Sequence, residues 1–363
     1  MKQNLHLCLD LRLIKAPGIG RFLKTLVLFF LEEDMLKLSF LCYPQDISFI
    51  KILDKRNKSK KILCKSSIYS LKEQWELMRA IPKCDIFWAP HFNIPILPIK
   101  AKTLVTTIHD VFHLTNLAPF YQRIYARLMF FLLNKKAKFI TTCSWFTYHQ
   151  YLSFLGDSKA KDIFVIYYAI TCKTKTVISI ELKQDIILYV GSLQKRKNIF
   201  RLIKAYSLLR PKEKLFIIGP KREKSTDTRI FNLIEKDTFL KNNVILMNPV
   251  SETELIRYYS LAKVFVFPSL YEGFGYPPLE AMQNGTPVIT SNIPCLKEIC
   301  GEAALFFNPY DEKNIAQILY KVLKDLKLQQ FLQKKGLIHV RKYSLLKMRE
   351  NILRVIYENS NCS

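Results

Sequence analysis

The chain has 363 residues, 49% of them hydrophobic, which is enough for two domains with a sizeable core each and too apolar for a disordered protein. Its 56 lysines and arginines against 30 aspartates and glutamates give a formal charge of +26. That excess points either to an anionic partner (nucleic acid, acidic lipid or a phosphate-bearing substrate) or to base composition, since much of it is lysine beside abundant isoleucine and phenylalanine.

In chain order, residues 5 to 11 alternate as a strand that Asp10-Leu11-Arg12 ends. Pro17-Gly18-Ile19-Gly20-Arg21 follows as a glycine turn ahead of an apolar helix from Phe22; it is either a plain turn or a loop facing a ligand cleft. The run from Phe22 to Leu31, broken by Lys24, is too short to span a bilayer and lacks a small-residue cleavage site. Neither a signal peptide nor a transmembrane helix is expected. Lys51 to Lys61 reads as a solvated surface loop, and Ser66 to Ala80 has helical spacing with Leu71, Trp75, Leu77 and Met78 as core. Asp85 to Ala89 is a strand opening into the loop Pro90 to Pro95, and Leu104 to Ile108 is a strand that delivers His109-Asp110. His109 and His113 make H-D-x-x-H, but no helix or third ligand at suitable spacing supports a metal. Asp110 is an orienting neighbour of His109 or a cap. Gln122 to Leu133 is an apolar helix carrying Arg123 and Arg127, either a core helix with snorkelling arginines or a membrane-surface face. Phe139 to Ser144 and Ile163 to Tyr167 are strands flanking a helix, Trp145 to Leu155, that Gly156 terminates.

Residues 171–184 are polar and without helical period, and are taken as a linker between a domain at 1–170 and one at 185–342. The end of the chain, 343–363, is expected to be a helix that crosses back to the first domain. The second domain opens with Ile186 to Ser192, a strand entering a turn at Gly191. Lys195-Arg196-Lys197-Asn198 then precedes a helix, Ile199 to Leu209, where cations can neutralise a diphosphate held by backbone N–H groups. Strands Leu215–Ile218 and Val244–Met247 follow, and Ser251 with Glu254 forms a capping box for a helix to Leu261.

The most informative stretch is 267–290, F-P-S-L-Y-E-G-F-G-Y-P-P-L-E-A-M-Q-N-G-T-P-V-I-T, behind the buried strand Lys263 to Phe267. It reads as strand, glycine loop, helix from about Pro278 to Asn284 stopped by Gly285, then strand. Glu272 lies in the loop and Glu280 in the helix eight positions later, close enough for both to face one ligand of nucleotide-sugar size. The helix start suits a diphosphate, Gly273 and Gly275 allow close backbone approach, Glu280 suits ribose hydroxyls and Glu272 sugar hydroxyls. Asn292 to Cys300 is a short helix, Ala304 to Phe307 a strand, and the rest is mostly helical. The alternation of strands and helices in both halves argues an α/β fold of two doubly wound, Rossmann-like domains facing a cleft. No phosphate-loop signature occurs. Nine cysteines without a C-x-x-C pair read as reduced, buried thiols of a cytoplasmic protein.

E-G-F-G-x-P-P-L-E-A-M with G-T-P-V-I resembles the donor-binding motif of retaining glycosyltransferases of family 4, with the GT-B fold. The G-I-G-R and I-H-D segments resemble its mannosyltransferase-like branch. The resemblance implies that Gly191, Arg196, Lys197, Ser251, Gly273, Phe274, Gly275, Tyr276, Leu279 and Glu280 bind the donor. It implies that His109 and Glu272 orient the transferred sugar as catalytic residues, and that Gly18, Gly20 and Arg21 form a donor or acceptor loop. Ser192 departs from the arginine that many relatives carry directly after the glycine. The implied reaction moves a hexose from a nucleotide sugar, GDP-mannose with a UDP-sugar as the alternative, to a glycan or lipid-linked glycan of a polysaccharide or lipopolysaccharide precursor, without cofactor or metal. A cytoplasmic site is implied, with an anionic membrane surface as a further partner at the cytoplasmic face of the inner membrane. A catalytically silent relative and a basic nucleic-acid-binding protein are the rivals; the intact Glu272, Glu280 and Lys197 oppose the first, and the spread of lysines along the chain opposes the second and any specific nucleic acid.

Overall fold

The computed structural model describes residues 5–155, 162–171, 176–221 and 225–358. The chain divides into two compact units, Met1–Ala169 with Leu346–Ser363, and Ile170–Leu345. The described residues of the first unit form one sheet from β1 (Leu5–Asp10), β2 (Leu36–Cys42), β3 (Ser59–Leu63), β4 (Cys84–Ala89), β5 (Ala101–Ile108), β6 (Phe139–Thr142) and β7 (Asp162–Val165), in the order β3-β2-β1-β4-β5-β6-β7. Those of the second form another from β8 (Gln184–Val190), β9 (Lys214–Ile218), β10 (Val244–Met247), β11 (Ala262–Phe267), β12 (Val288–Ser291) and β13 (Ala304–Phe307), in the order β10-β9-β8-β11-β12-β13. All the pairings between these strands are parallel. In each sheet the strand order reverses beside the first strand, between β1 and β4 and between β8 and β11. That is the Rossmann order, and ligands of such sheets sit beyond the carboxyl ends at the reversal. The two doubly wound domains expected from the sequence are therefore present.

Helices α1 (Ile19–Glu32), α2 (Ile47–Leu53), α3 (Leu71–Ala80), α4 (Phe120–Lys136) and α5 (Trp145–Leu155) connect the strands of the first unit. The second carries α6 (Ile199–Leu209), α7 (Arg229–Lys236), α8 (Thr238–Asn243), α9 (Glu252–Leu261), α10 (Tyr276–Gln283), α11 (Pro294–Cys300), α12 (Glu312–Lys324) and α13 (Leu326–His339). The last helix, α14 (Leu345–Glu358), belongs from Leu346 onward to the first unit. There the Ala169 N–H donates to Met348 Sδ at 3.2 Å, and Arg349 pairs with Glu32 at 2.7 Å and Glu33 at 2.6 Å. Parallel strands covered on both faces need continuous apolar runs, and Val264 to Phe267 of β11 are fully buried.

Several sequence expectations are corrected. Helix α1 starts at Ile19 rather than Phe22, because Gly18 takes the N-cap position with φ 76°. Gly20 then lies inside the helix, where a Cβ would come 2.4 Å from the Ile14 carbonyl oxygen. The 51–61 stretch is not an open loop: it holds the end of α2 and the start of edge strand β3. Lysines belong on an edge strand, which they protect from pairing with another chain, and Lys61 is further held by Asp54 at 2.7 Å. In α3 the face read as core is wrong for Leu71 and Trp75, which are 87% and 56% exposed. The helix instead buries Glu73 and Gln74 beside Leu77. Glu73 takes the Tyr69 N–H at 2.7 Å, Asn93 Nδ2 at 3.0 Å and the Arg12 guanidinium at 2.8 Å, so the buried face is a polar hub for loops.

Of the 171–184 stretch expected as a linker, residues 172–175 lie outside the described residues; residues 171 and 176–184 belong to the second unit, with a 3-10 turn at Ile180–Leu182. Lys183 Nζ donates there to the Ser260 carbonyl at 2.6 Å. The sequence reading assigned no element to β2, α7 or α8. Gly156, Cys172 and Cys362 lie outside the described residues. The seven described cysteines are buried.

Candidate functional site

The second unit places its predicted site residues at the strand reversal. Strand β8 ends at Val190 and turns at Gly191, whose carbonyl oxygen would lie 1.9 Å from a Cβ on Gly219, at the end of β9. Only glycine at 219 lets these two turns approach so closely. After them Lys195–Lys197 forms a 3-10 turn, and Asn198, left-handed with φ 61°, caps α6. Asn198 Nδ2 donates to the Pro268 carbonyl at 3.1 Å and the Pro309 carbonyl at 2.7 Å, and the Leu270 N–H donates to the Arg196 carbonyl at 2.8 Å. The loops after β8, β11 and β13 are thereby fixed to one another. The sequence signal for Asn198 is an asparagine, a residue type that tolerates the left-handed region, directly ahead of a helix.

This fixing brings Lys197, Arg196 and Glu272 together. Lys197 Nζ lies 2.5 Å from Glu272 Oε1 and 5.4 Å from the centre of the Phe267 ring. Arg196 Nη1 lies 3.7 Å from Glu272 Oε2 and donates to the Tyr271 carbonyl at 3.4 Å, while its Nε donates to Gln194 Oε1 at 3.1 Å. Burial pushes the Glu272 carboxyl pKa up, but the charges of Lys197 and Arg196 and the lysine hydrogen bond outweigh it, so the net shift is below the ordinary 4.5. Glu272 is thus a carboxylate at neutral pH. Burial, reinforced by the Glu272 charge, pushes the Tyr189 hydroxyl well above 10. Two cations against one carboxylate leave the cluster with a single net positive charge.

Helix α10 starts at the same loop. Its N-cap, Gly275, has φ 107° and ψ 60°, a backbone conformation that favours glycine. The helix start is a narrower anion site than the sequence reading supposes. Of the first four N–H positions of a helix start, Pro277 and Pro278 delete two, so only Gly275 and Tyr276 carry an N–H there. Glu280 is not a surface residue: it is 2% exposed, and its Oε2 accepts from the Tyr259 hydroxyl at 2.9 Å. Tyr259 carried no signal in the sequence. Leu279 is fully buried and Phe274 nearly so, the latter edge-on to Tyr343 at 5.8 Å, so these two shape the loop from beneath. Ser251 caps α9 in the expected box, its hydroxyl bonded to Glu254 at 2.7 Å.

In the first unit His109 follows β5. Its Nε2–H donates to the Pro90 carbonyl at 2.7 Å and its Nδ1 accepts from the Tyr168 hydroxyl. Both ring nitrogens are therefore committed, which fixes the neutral tautomer with the proton on Nε2. Burial lowers the imidazole pKa to about 4, against smaller opposing effects of the Pro90 carbonyl and Asp110. The Phe22 ring stands edge-on at 5.4 Å. Asp110 Oδ1 accepts from the Phe112 N–H at 2.9 Å, as a turn cap. Gly18 and Gly20 lie at the start of α1, and Arg21 is exposed in its first turn. Among the described residues no group of three His, Cys, Asp or Glu side chains is placed to hold a metal ion.

Solved structures share this two-domain architecture. Sucrose-phosphate synthase from Thermosynechococcus elongatus superposes with a TM-score of 0.75 at 19% identity, over 99% of this chain and 100% of that one. The Anabaena protein HepE, solved in complex with UDP-glucose, does so with a TM-score of 0.77 at 15% identity, over 98% of this chain and 100% of that one. The fold is GT-B, two Rossmann-like domains. Residues 173–337 match the family model for glycosyl transferases group 1, and the relatives similar to the chain include mannosyltransferases. It is 29% identical over 261 residues to the O-antigen chain mannosyltransferase RfbU of Salmonella typhimurium, covering 71% of each chain. It is 37% identical over 167 residues to the serotype-specific mannosyltransferase WbdA of Escherichia coli, spanning 45% of this chain and only 20% of that protein. Among the described residues no helix is long and apolar enough to cross a membrane.

Proposed function

We propose that the chain is a retaining glycosyltransferase of family 4 that moves mannose from GDP-mannose to a glycan acceptor, a lipid-linked or surface-polysaccharide precursor. The observation that carries this reading is the cluster of Lys197, Arg196 and Glu272 at the β8/β11 reversal, beside the Gly275-capped helix that presents Glu280. Its similarity to O-antigen mannosyltransferases supports mannose over glucose.

In this reading the donor diphosphate takes Lys197, Arg196 and the N–H groups of Gly275 and Tyr276 as its counter-charge, which stabilises the departing nucleoside diphosphate as the glycosidic bond breaks. Glu280, fixed by Tyr259, accepts from ribose hydroxyls. Glu272 accepts from sugar hydroxyls and tempers the pull of Lys197 on the diphosphate. His109, neutral and with both ring nitrogens bonded, acts by shape and dipole rather than by proton transfer. Because side chains and the helix end supply the positive charge, no divalent metal is required, and activity is expected to survive chelation by EDTA.

The deciding experiment is calorimetric titration of the chain with GDP-mannose, UDP-glucose and UDP-N-acetylglucosamine. Selective GDP-mannose binding, lost in Lys197→Ala and weakened in Glu280→Ala, is the expected result. Binding of a UDP-sugar at the same residues would keep the site and change the donor. A folded protein that binds none of them would overturn the enzyme reading.

A further inference from the structure

Among the described residues Tyr69 is the aromatic residue with a left-handed backbone, at φ 73°. Such a residue is an outlier that persists only where its surroundings over-determine it. Tyr69 lies between β3 and α3, and the buried Glu73 carboxylate holds it there by taking its N–H at 2.7 Å. Glycine or asparagine would adopt this backbone more easily. The Tyr69 ring is 52% exposed, so its burial does not offset the strain.

The ring instead heads an aromatic cluster beyond the carboxyl ends of the first unit's strands. His91, after β4, and Tyr125 of α4 each stand edge-on to it at 5.8 Å. Phe92 lies 4.2 Å from His91 and 5.4 Å from His113, which follows β5. His91, His113 and Tyr125 are half-buried. The Asn93 N–H donates to His91 Nδ1 at 3.3 Å, so the neutral imidazole carries its proton on Nε2 and donates it to the Tyr69 hydroxyl oxygen at 3.3 Å. Burial, and after it the charges of His109 and His113, lowers the His91 pKa to about 3 and keeps the ring neutral. The hydroxyl hydrogen of Tyr69 is thereby left for an outside acceptor. The ion pairs tied to the cluster through Glu73 are those of Arg12 with Asp10 at 2.6 Å and with Glu73 at 2.8 Å. One cation to two carboxyl groups offers no surplus positive charge to a phosphate.

We propose that Tyr69, braced by His91 and Tyr125, is the platform on which a pyranose ring of the acceptor glycan stacks, with the Tyr69 hydroxyl donating to one of the sugar's oxygens. C–H bonds line the faces of a pyranose, and their slightly positive hydrogens suit the negative face of an aromatic ring. Position agrees with this role. His91 directly follows Pro90, whose carbonyl accepts from His109, the ring given to the transferred sugar. That the sugar is the acceptor rests on the proposed function; that a sugar binds here rests on the first unit alone.

The test is saturation-transfer NMR of the full chain, without nucleotide, against methyl α-D-mannopyranoside, methyl α-D-glucopyranoside and glycerol phosphate. Saturation is expected to reach the ring hydrogens of at least one glycoside and not glycerol phosphate. In Tyr69→Asn, which suits the left-handed backbone, glycoside affinity should fall about tenfold or more while urea denaturation shows a fold at least as stable as wild type. That pairing separates a ligand platform from a packing residue, whose loss would destabilise the chain. Tyr69→Phe keeps the ring and removes the hydroxyl; it should weaken binding about fivefold, and it serves if the asparagine variant fails to fold. GDP is titrated separately into each variant and should bind as to wild type, so a failure of the donor reading in the second unit shows apart from a failure of the platform. Glycoside binding unaltered in Tyr69→Asn, or preferential binding of glycerol phosphate, would overturn the proposal. So would a folded wild type that binds neither glycoside.

Discussion

The two units repeat one strand order, yet the loops beyond β8 and β11 and those beyond β4 and β5 are built on opposite electrostatic principles. Beyond β8 and β11 the second unit gathers half-buried Lys197 and Arg196 around buried Glu272, a set of full charges held by Asn198 and by backbone. Beyond β4 and β5 the first unit holds an uncharged, half-buried imidazole, His109, between the Pro90 carbonyl, the Tyr168 hydroxyl and the Phe22 ring. A Rossmann sheet therefore fixes where a site falls and leaves its chemistry to the loops. Charge suits the unit that the proposed reading gives to a diphosphate, and an uncharged ring fixed in orientation suits the part that reading gives to His109.

The comparison can be broken most severely at Lys197. Lys197→Ala leaves Glu272 buried without its closest partner, and breaking a buried pair costs about 3–5 kcal/mol. A fall of that size in chemical denaturation is expected, together with loss of nucleotide binding. Lys197→Ala/Glu272→Gln should recover much of the stability but not the binding, because the buried charge is removed while the diphosphate still lacks its cation. If the double variant is no more stable than the single one, the pair is not what holds the loop.

Glu272→Gln separates the two roles given to this carboxylate. It removes a negative charge beside Lys197, so GDP should bind as tightly as to wild type or several-fold tighter. Transfer should nonetheless fall by about 100-fold, the scale of losing one transition-state interaction. Weaker GDP binding would show that Glu272 positions Lys197 rather than the sugar. A smaller effect is expected of Tyr259→Phe, which removes one hydrogen bond to Glu280, worth about 1 kcal/mol. Donor affinity should drop roughly fivefold with the fold intact.

The second unit's site was legible because its parts are adjacent in sequence. Glu272, Gly275 and Glu280 sit on one strand-loop-helix segment, and Lys197 follows a strand by a few residues, so spacing alone brings each set to a strand end. Tyr259 was not legible, since nothing in an ordinary amphipathic helix announces that one hydroxyl will reach a buried carboxylate 21 positions away. The prolines were read for their φ and not for their missing N–H groups, which made the helix start look a stronger anion site than it is. In the first unit the strands were read well, but α3 misled: its apolar residues point outward because Glu73 and Gln74 are needed inside to satisfy Arg12, Asn93 and loop N–H groups. A demand set by distant loops leaves no trace in a helix's own periodicity.

A pH-dependent effect, smaller than that expected at Lys197, tests the first unit. Burial lowers the pKa of His109 to about 4 and of the neighbouring His91 to about 3, from an ordinary 6.5. Between those values the unfolded chain binds protons that the folded chain refuses, so stability rises with pH. The contribution is complete above about pH 6.5 and is lost as pH falls towards 4, with a slope of at most about 1.4 kcal/mol per pH unit for each histidine. The Glu272 carboxylate also loses stability on acidification, but only below its ordinary 4.5, because its folded pKa is depressed. Urea denaturation at pH 7, 6 and 5 therefore reads the histidines with Glu272 still silent. His109→Gln, which keeps a donor for the Pro90 carbonyl, should flatten the slope by about one proton's worth. An unchanged slope would mean that His109 titrates alike in both states, and that its ring is not held neutral by the Pro90 and Tyr168 contacts.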